Sequence, residues 1–343
     1  MRARSLVGRL WRGEGGTGPV LMGALTAPLA VIYGSVVRTR NFLYRLGVLS
    51  SSDPPLPVVS VGNLAVGGTG KTPVSGWLAG ELERLGRRPA IVMRGYGEDE
   101  VRLHRRWSPA TPVIVTPRRI DGVREALRLG RGVAVLDDGF QHRSLRRDLD
   151  IVLLSPVHPL PPRLLPRGPF RESLRALRRA GLILITSKGE GEREAAVRLA
   201  AELRRAPGLP PVDLCHLEAG AWERLDGSRG SPPDAPVLAV ASVAEPCSFL
   251  ALVRARLGEA PEARLYPDHH LYTRDDAARI ARQAEGRAVV TTEKDAVKLE
   301  AFAELLPPVR VLPLVAVPGD GLIGRILGSL PGEAAPGPGE ARA

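Results

Sequence analysis

Gly62-Asn63-Leu64-Ala65-Val66-Gly67-Gly68-Thr69-Gly70-Lys71-Thr72-Pro73 follows the apolar run Val58 to Val61 and opens an amphipathic stretch, Pro73 to Leu85. Strand, glycine-rich turn, Lys-Thr and helix, in that order, form the context of a phosphate-binding loop. Backbone N–H groups of the turn and of the helix N-terminus can surround the phosphates of a nucleotide, Lys71 adds a mobile cation, and the Thr72 hydroxyl can reach a magnesium ion. Gly67, Gly68, Thr69, Gly70, Lys71 and Thr72 are therefore the candidate nucleotide-binding residues. The first glycine of G-x-x-x-x-G-K-[ST] falls at Ala65, so the pattern is degenerate at one fixed position, and Gly67 with Gly68 is expected to supply the lost flexibility. A glycine-rich hairpin turn beside a lysine is the structural alternative, and it leaves the following helix unexplained.

Outward from this loop, short β-branched runs alternate with amphipathic stretches. Ala90 to Met93, Val113 to Val115, Val133 to Leu136, Ile151 to Leu154 and Leu182 to Ile185 read as buried strands, and Ile120 to Leu129 as a helix. Continuous apolar strands separated by helices imply a parallel sheet covered on both faces. A weaker series follows: Val237 to Val243, Ser248 to Leu257, Thr273 to Glu285, Val289 to Thr292 and Val309 to Val317. The expected architecture is α/β, a P-loop NTPase-like parallel-sheet domain with a second, smaller α/β domain and an N-terminal membrane-associated helix. The divisions are residues 1–50 for a membrane-associating helical segment, 51–212 for the P-loop domain and 213–330 for the smaller α/β domain. The first boundary lies in the SSDPPLP linker and the second near PGLPPVD, where Pro and Gly cluster and the periodicity lapses. Residues 331–343, PGEAAPGPGEARA, read as a disordered tail.

A length of 343 residues suits about two domains at about 150 residues each. The chain is 44% hydrophobic and 25% charged, which excludes collagen-like, wholly disordered and polytopic membrane classes. Its net charge of +11 is carried mostly by arginine, whose planar fork grips phosphate and carboxylate. With aromatics at 4% and arginine scattered, the charge lacks the aromatic interleaving of a nucleic-acid surface. Cys215 and Cys247 are too far apart in sequence for a C-x-x-C site, and two thiols make no disulfide framework. From Pro19 to Val37 there is no charged residue, while Arg2, Arg4, Arg9 and Arg12 precede the stretch and Arg38, Arg40 and Arg45 follow it. That pattern points to membrane anchoring, either spanning or lying in the interface. A buried core helix and a cleaved signal peptide are the alternatives, and a nucleotide site downstream argues against the second.

The run that ends in Leu136 continues Asp137-Asp138-Gly139-Phe140-Gln141-His142. Ligands of an open α/β sheet gather at the carboxyl ends of its strands, so two adjacent acids there suit metal binding beside the phosphate loop. Asp99, in Gly95-Tyr96-Gly97-Glu98-Asp99-Glu100, also follows a strand, and on its own reads as part of an acidic loop. Asp268-His269-His270 is equally ambiguous alone, with too few neighbouring ligands for zinc.

The ordered set GNLAVGGTGKTP, RGYG, LDDGFQH, LPRGPFRE, PDHH and TEKDAVKL, across residues 62 to 299, resembles the tetraacyldisaccharide 4'-kinase family, the lipid A 4'-kinases of Gram-negative bacteria. The resemblance implies ATP-dependent phosphorylation, with Mg2+, of the 4'-hydroxyl of an acylated glucosamine disaccharide 1-phosphate. The lipid and the inner-membrane surface would be the partners, on the cytoplasmic face, with no nucleic acid and no obligatory protein partner. It puts the ATP loop on Gly67 to Thr72, the metal on Thr72, Asp137 and Asp138, and the catalytic pair on Asp99 and His269. Arg119, His142, Arg171 and Glu172 match positions around the substrate and nucleotide cleft. The chain departs from the family pattern where the insert between R-G-Y-G and G-D-E-P is missing, where Met93 replaces a serine, and where Ala241-Ser242-Val243-Ala244-Glu245-Pro246 stands for A-G-I-G-N-P. A membrane-surface P-loop switch or partitioning ATPase is the alternative function, and it would need no DHH element.

Overall fold

The computed structural model describes residues 6–11, 16–95, 97–158 and 160–331. The strands are β1 (Val58–Asn63), β2 (Pro89–Met93), β3 (Val113–Val115), β4 (Val133–Asp137), β5 (Leu149–Leu154), β6 (Leu182–Lys188), β7 (Val212–Ala219), β8 (Glu223–Arg224), β9 (Leu238–Ala241), β10 (Glu262–Leu265), β11 (Val289–Thr291), β12 (Val309–Val311) and β13 (Leu314–Pro318). The helices are α1 (Leu6–Trp11), α2 (Thr17–Arg45), α3 (Lys71–Arg84), α4 (Glu98–Trp107), α5 (Arg119–Arg128), α6 (Glu190–Arg205), α7 (Pro246–Leu257), α8 (Arg274–Ala284), α9 (Glu293–Leu299) and α10 (Leu322–Gly328).

Eight strands form the larger sheet in the order β13-β7-β6-β5-β1-β4-β2-β3. All its pairings are parallel except β13 on β7. Strands β1, β2 and β4 are buried along their whole length, because helices cover both faces and leave no side for polar alternation. The core on one face joins Val59, Val61, Leu78, Leu82, Val135 and Ile151, so α3 is held against the centre of the sheet. The phosphate loop leaves the end of β1, which lies between β4 and β5. Connections diverge there to opposite halves of the sheet, and that divergence opens the crevice in which α/β proteins bind ligands.

Five strands form the smaller sheet, β10-β9-β11-β12-β8, with β8 antiparallel at one edge. Sheet membership does not follow the expected divisions at 212 and 330. Strand β7 starts at Val212 and pairs with β6, and β13 returns from the second sheet to pair with β7. The run Val309 to Val317 reads as one strand but is split at Leu312-Pro313 into β12 and β13, one for each sheet. Proline lacks the N–H that a continuous ladder would use. From residue 332 onward, the expected tail lies outside the described residues.

Helix α2 extends beyond the uncharged stretch at both ends, and Pro28 lies inside it. Its apolar window has a mean hydropathy of 1.9 and is only 17% buried, so it is not a core helix. Val20, Leu21, Leu25, Leu29, Ile32 and Val36 are exposed. The helix docks near its C-terminal half: Tyr33 donates to the Arg171 carbonyl at 3.1 Å and Asn41 donates to Glu172 at 2.7 Å.

Gly62, the last residue but one of β1, has no room for a side chain. A Cβ there would come within 2.6 Å of Phe140 Cβ and 2.8 Å of Phe140 N. Gly62→Ala is expected to destabilise the fold by about 1–3 kcal/mol, the range for forcing an extra methyl group into a packed core. A melting temperature equal to that of the parent would contradict this packing.

Candidate functional site

The phosphate loop is shaped by two glycines in the left-handed region, Gly67 at φ 125° and Gly70 at φ 82°, and Gly70 caps α3. Asn63 donates to Thr69 Oγ1 at 2.8 Å, and Thr186 donates to the Thr69 carbonyl at 2.8 Å, so β1 and β6 brace the turn from below. Ala65 is buried and bridges Phe170, outside the tight turn, which is why a side chain is tolerated at the position of the signature's first glycine. Lys71 and Thr72 open α3, with Thr72 Oγ1 at 3.3 Å from Glu100 Oε1.

The tandem acids end β4 and differ in their surroundings. Asp137 is 3% exposed and Asp138, at φ 56°, is 38% exposed on its side chain. Asp138 accepts from Arg171 Nη1 at 2.9 Å through both oxygens and lies 3.8 Å from Lys71 Nζ. Asp137 accepts from His104 Nε2 at 2.9 Å. Burial on its own raises the Asp137 carboxyl, but the hydrogen bond and nearness of His104, with Lys71 and Lys294, hold it below the usual range. The donor set Thr72, Asp137 and Asp138 consists of oxygens only and offers two carboxylates beside a phosphate site. That set fits Mg2+, which takes one or two carboxylates together with substrate phosphates. Among the described residues no group of three His, Cys, Asp or Glu side chains could by itself hold a metal ion.

Asp99 does not lie in a loop: it is in the first turn of α4, where acids are favoured by the helix dipole. The helix was hidden in the sequence by its arginines, yet Asp99, Val101, Leu103 and His104 form a buried face. His269, with φ 57°, follows β10 and brings its Nδ1 to 3.2 Å from Asp99 Oδ2. Although separated by 170 residues, about half of the chain, the two residues meet. Burial raises the Asp99 carboxyl, while the His269 hydrogen bond and the charges of Lys294, His269 and Lys298 lower it further, to about 2. The same hydrogen bond raises His269 above its ordinary value. By linkage, the Asp99 contribution is complete above its unfolded value and fades toward about pH 2, whereas that of His269 is complete below its unfolded value and fades as pH rises through its raised one.

The remaining expected residues fall in two groups. Arg171 faces the acids, and His142, held down to about 4 by burial and by Arg119, Arg147 and Arg94, stays neutral near pH 7. Arg119 is buried and donates to the Asp137 carbonyl at 3.3 Å, so it supports the strand end. Glu172 is also buried, with both oxygens taken by Arg179 and one shared with Asn41, so it anchors α2.

Several neighbours were not singled out by sequence. Lys294 pairs with Glu100 at 2.5 Å, and Lys298 lies 4.0 Å from Asp99 and 3.1 Å from Asp295. All three belong to Thr292-Glu293-Lys294-Asp295-Ala296-Val297-Lys298, whose lysines four apart on α9 were a usable signal for one cationic face. Lys188 pairs with Glu245 at 2.5 Å directly over Gly68, joining the two sheets across the loop.

The family model described as tetraacyldisaccharide-1-P 4'-kinase matches residues 22–328. A tetraacyldisaccharide 4'-kinase of Anaeromyxobacter dehalogenans (strain 2CP-C) is 38% identical over 327 residues, covering 84% of this chain and 85% of the relative. One from Chlorobium limicola is 34% identical over 320 residues, covering 84% and 90%. Among solved structures, LpxK from Aquifex aeolicus in complex with ATP superposes with a TM-score of 0.70 at 28% identity, covering 90% of this chain and all of that one.

Proposed function

The chain belongs to the tetraacyldisaccharide-1-P 4'-kinase family, and from that premise we propose how its residues divide the work of the reaction and where it takes place. The protein is an ATP- and Mg2+-dependent kinase that phosphorylates the 4'-hydroxyl of a tetraacylated glucosamine disaccharide 1-phosphate in lipid A biosynthesis. The observation that carries the proposed division is the meeting of Asp99 with His269 beside Thr72 and Glu100, at the rim of the phosphate loop.

Phosphoryl transfer asks for positioning and charge stabilisation more than for covalent chemistry. Backbone N–H groups from Gly67 to Gly70, with Lys71, cradle the β and γ phosphates. Thr72, Asp137 and Asp138 would hold Mg2+, which when bound neutralises charge on the phosphate oxygens. Asp99 accepts the proton of the 4'-hydroxyl as that oxygen forms its bond to the γ phosphorus and the bond to the β-bridging oxygen breaks, releasing ADP. His269 donates from Nδ1 to the other side of the carboxylate and fixes its orientation. Glu100 is the adjacent carboxylate, and its engagement by Lys294 and Thr72 makes it the poorer base. Arg171, beside Asp138, supplies a fork suited to a phosphate group.

The substrate is a lipid, and the exposed apolar face of α2 is the surface that would meet its bilayer. Arginines flank the uncharged stretch of α2 on both sides, which suits anionic headgroups. ATP supply supports the cytoplasmic face of the inner membrane as the location of the reaction, and the flanking arginines support contact with its headgroups. A P-loop switch that does not act on lipid would leave the Asp99 and His269 contact without a task.

Lys71→Ala and Asp138→Asn are each expected to lower kcat by more than about 10²-fold, the scale for removing a positioned electrostatic group. The assay is transfer of label from ATP to a tetraacyl disaccharide 1-phosphate in detergent, with circular dichroism as the fold control. Rates near those of the parent in either folded variant would contradict the phosphate and metal assignment. Leu25 and Leu29 lie on one exposed strip of α2. The double variant Leu25→Asp, Leu29→Asp should release the protein from phosphatidylethanolamine–phosphatidylglycerol vesicles and raise the KM for lipid more than that for ATP. Unchanged cosedimentation would place the membrane contact elsewhere.

A further inference from the structure

The two acids at the end of β4 are supported unequally, and the support of Asp137 comes from a residue that none of the sequence motifs contains. His104 is fully buried on α4, on the same helix as Asp99, and its Nε2 lies 2.9 Å from Asp137 Oδ2. Among the described residues no group donates to the other oxygen, Oδ1, which leaves it the oxygen available to a cation. We infer that His104 is a positioning residue for the metal site: it holds Oδ2 of Asp137 so that Oδ1 faces the cation, and it ties the helix of the base to the strand of the metal acid. The inference rests on the reading of Asp137 as a magnesium ligand.

A carboxylate has no proton to give, so the hydrogen of the contact belongs to His104 Nε2. The other ring nitrogen, Nδ1, is buried without a hydrogen-bond partner among the described residues, so the contact to Asp137 is the ring's one hydrogen bond. The ring is fixed from behind. Trp107 packs edge-on against it at 5.5 Å and 84°, and the indole Nε1 donates to Glu293 Oε1 at 2.5 Å. Glu293 in turn accepts the Leu314 N–H at 3.0 Å through its second oxygen. A continuous series of contacts therefore runs from the start of α9 and the start of β13, through Trp107 and His104, to Asp137.

A buried histidine that only filled space would need no hydrogen bond to an ionised group, and an apolar side chain of similar size would pack at lower desolvation cost. Partners of ligating carboxylates act differently: losing one typically costs about 10- to 100-fold in metal affinity.

The test is Mn2+ binding, read by electron paramagnetic resonance on the full-length protein with a non-hydrolysable ATP analogue, for His104→Leu, His104→Gln and Asp137→Asn. Glutamine retains a donor near the position of Nε2. His104→Leu is expected to weaken Mn2+ binding by about 10-fold or more, Asp137→Asn at least as much, and His104→Gln by less than about 3-fold. Parent-like affinity in a folded His104→Leu, with Asp137→Asn defective, overturns the role of His104 and leaves the metal reading standing. Parent-like affinity in Asp137→Asn overturns the metal reading and this inference with it. Should His104→Leu fail to fold by near-ultraviolet circular dichroism, His104→Gln decides: retained affinity supports the inference, and a folded protein as weak as Asp137→Asn overturns it.

Discussion

A carboxylate sunk to 6% exposure has to be answered by positive charge, and the cations that answer Asp99 come from the other sheet. His269 follows β10, and Lys294 and Lys298 lie on α9. Asp99 itself is carried by α4, between β2 and β3 of the larger sheet. Burying that carboxylate alone would be costly, so the compensation ties the sheets together at one point. Glu100, next to Asp99 on α4, reaches Thr72 at the start of α3, so the junction adjoins the phosphate loop.

The division of chemistry follows from the topology. Parallel strands send their carboxyl ends to one edge, so the turn after β1, the acids after β4 and the start of α4 after β2 converge without any side chain specifying it. In the proposed division the larger sheet contributes the residues assigned to phosphate and cation. The smaller sheet contributes the partners of the base, and its Glu245 reaches across to Lys188 above Gly68. In the proposed arrangement the lipid comes from a third direction, since α2 is pinned through Tyr33 and Asn41 to the segment that also carries Arg171. One short stretch, Arg171-Glu172, thus binds Asp138 with its first side chain and anchors α2 with its second.

The parts of this arrangement legible in the sequence are those written locally. Lys71 and Thr72 after a glycine run, and two acids after an apolar strand, announce their backbone context within a dozen residues. Sheet membership is not local: the Pro-Gly loop near 210 marks the end of a helix and looks like a boundary, while β7 beyond it stays in the first sheet. The return of β13 was hidden for the same reason, since an apolar run broken by Pro313 reads as one strand until its partners are known. Asp99 and His269 could be paired only through family resemblance, because nothing in either local sequence records a contact made across the fold. His104 carries the weakest signal, since it lies outside every quoted motif and a histidine among arginines reads as solvated surface until its burial is seen.

The central claim is that Asp99 and His269 work as one unit across the two sheets. A double-mutant cycle on kcat, with Asp99→Ala, His269→Ala and the double variant, measures it directly, with Glu100→Ala as the neighbouring control. Groups acting together give losses that do not add. The account predicts a large loss in each single variant, a double variant little worse than the weaker single one, and a milder effect at Glu100. Additive losses, or a greater loss at Glu100 than at Asp99, would contradict it.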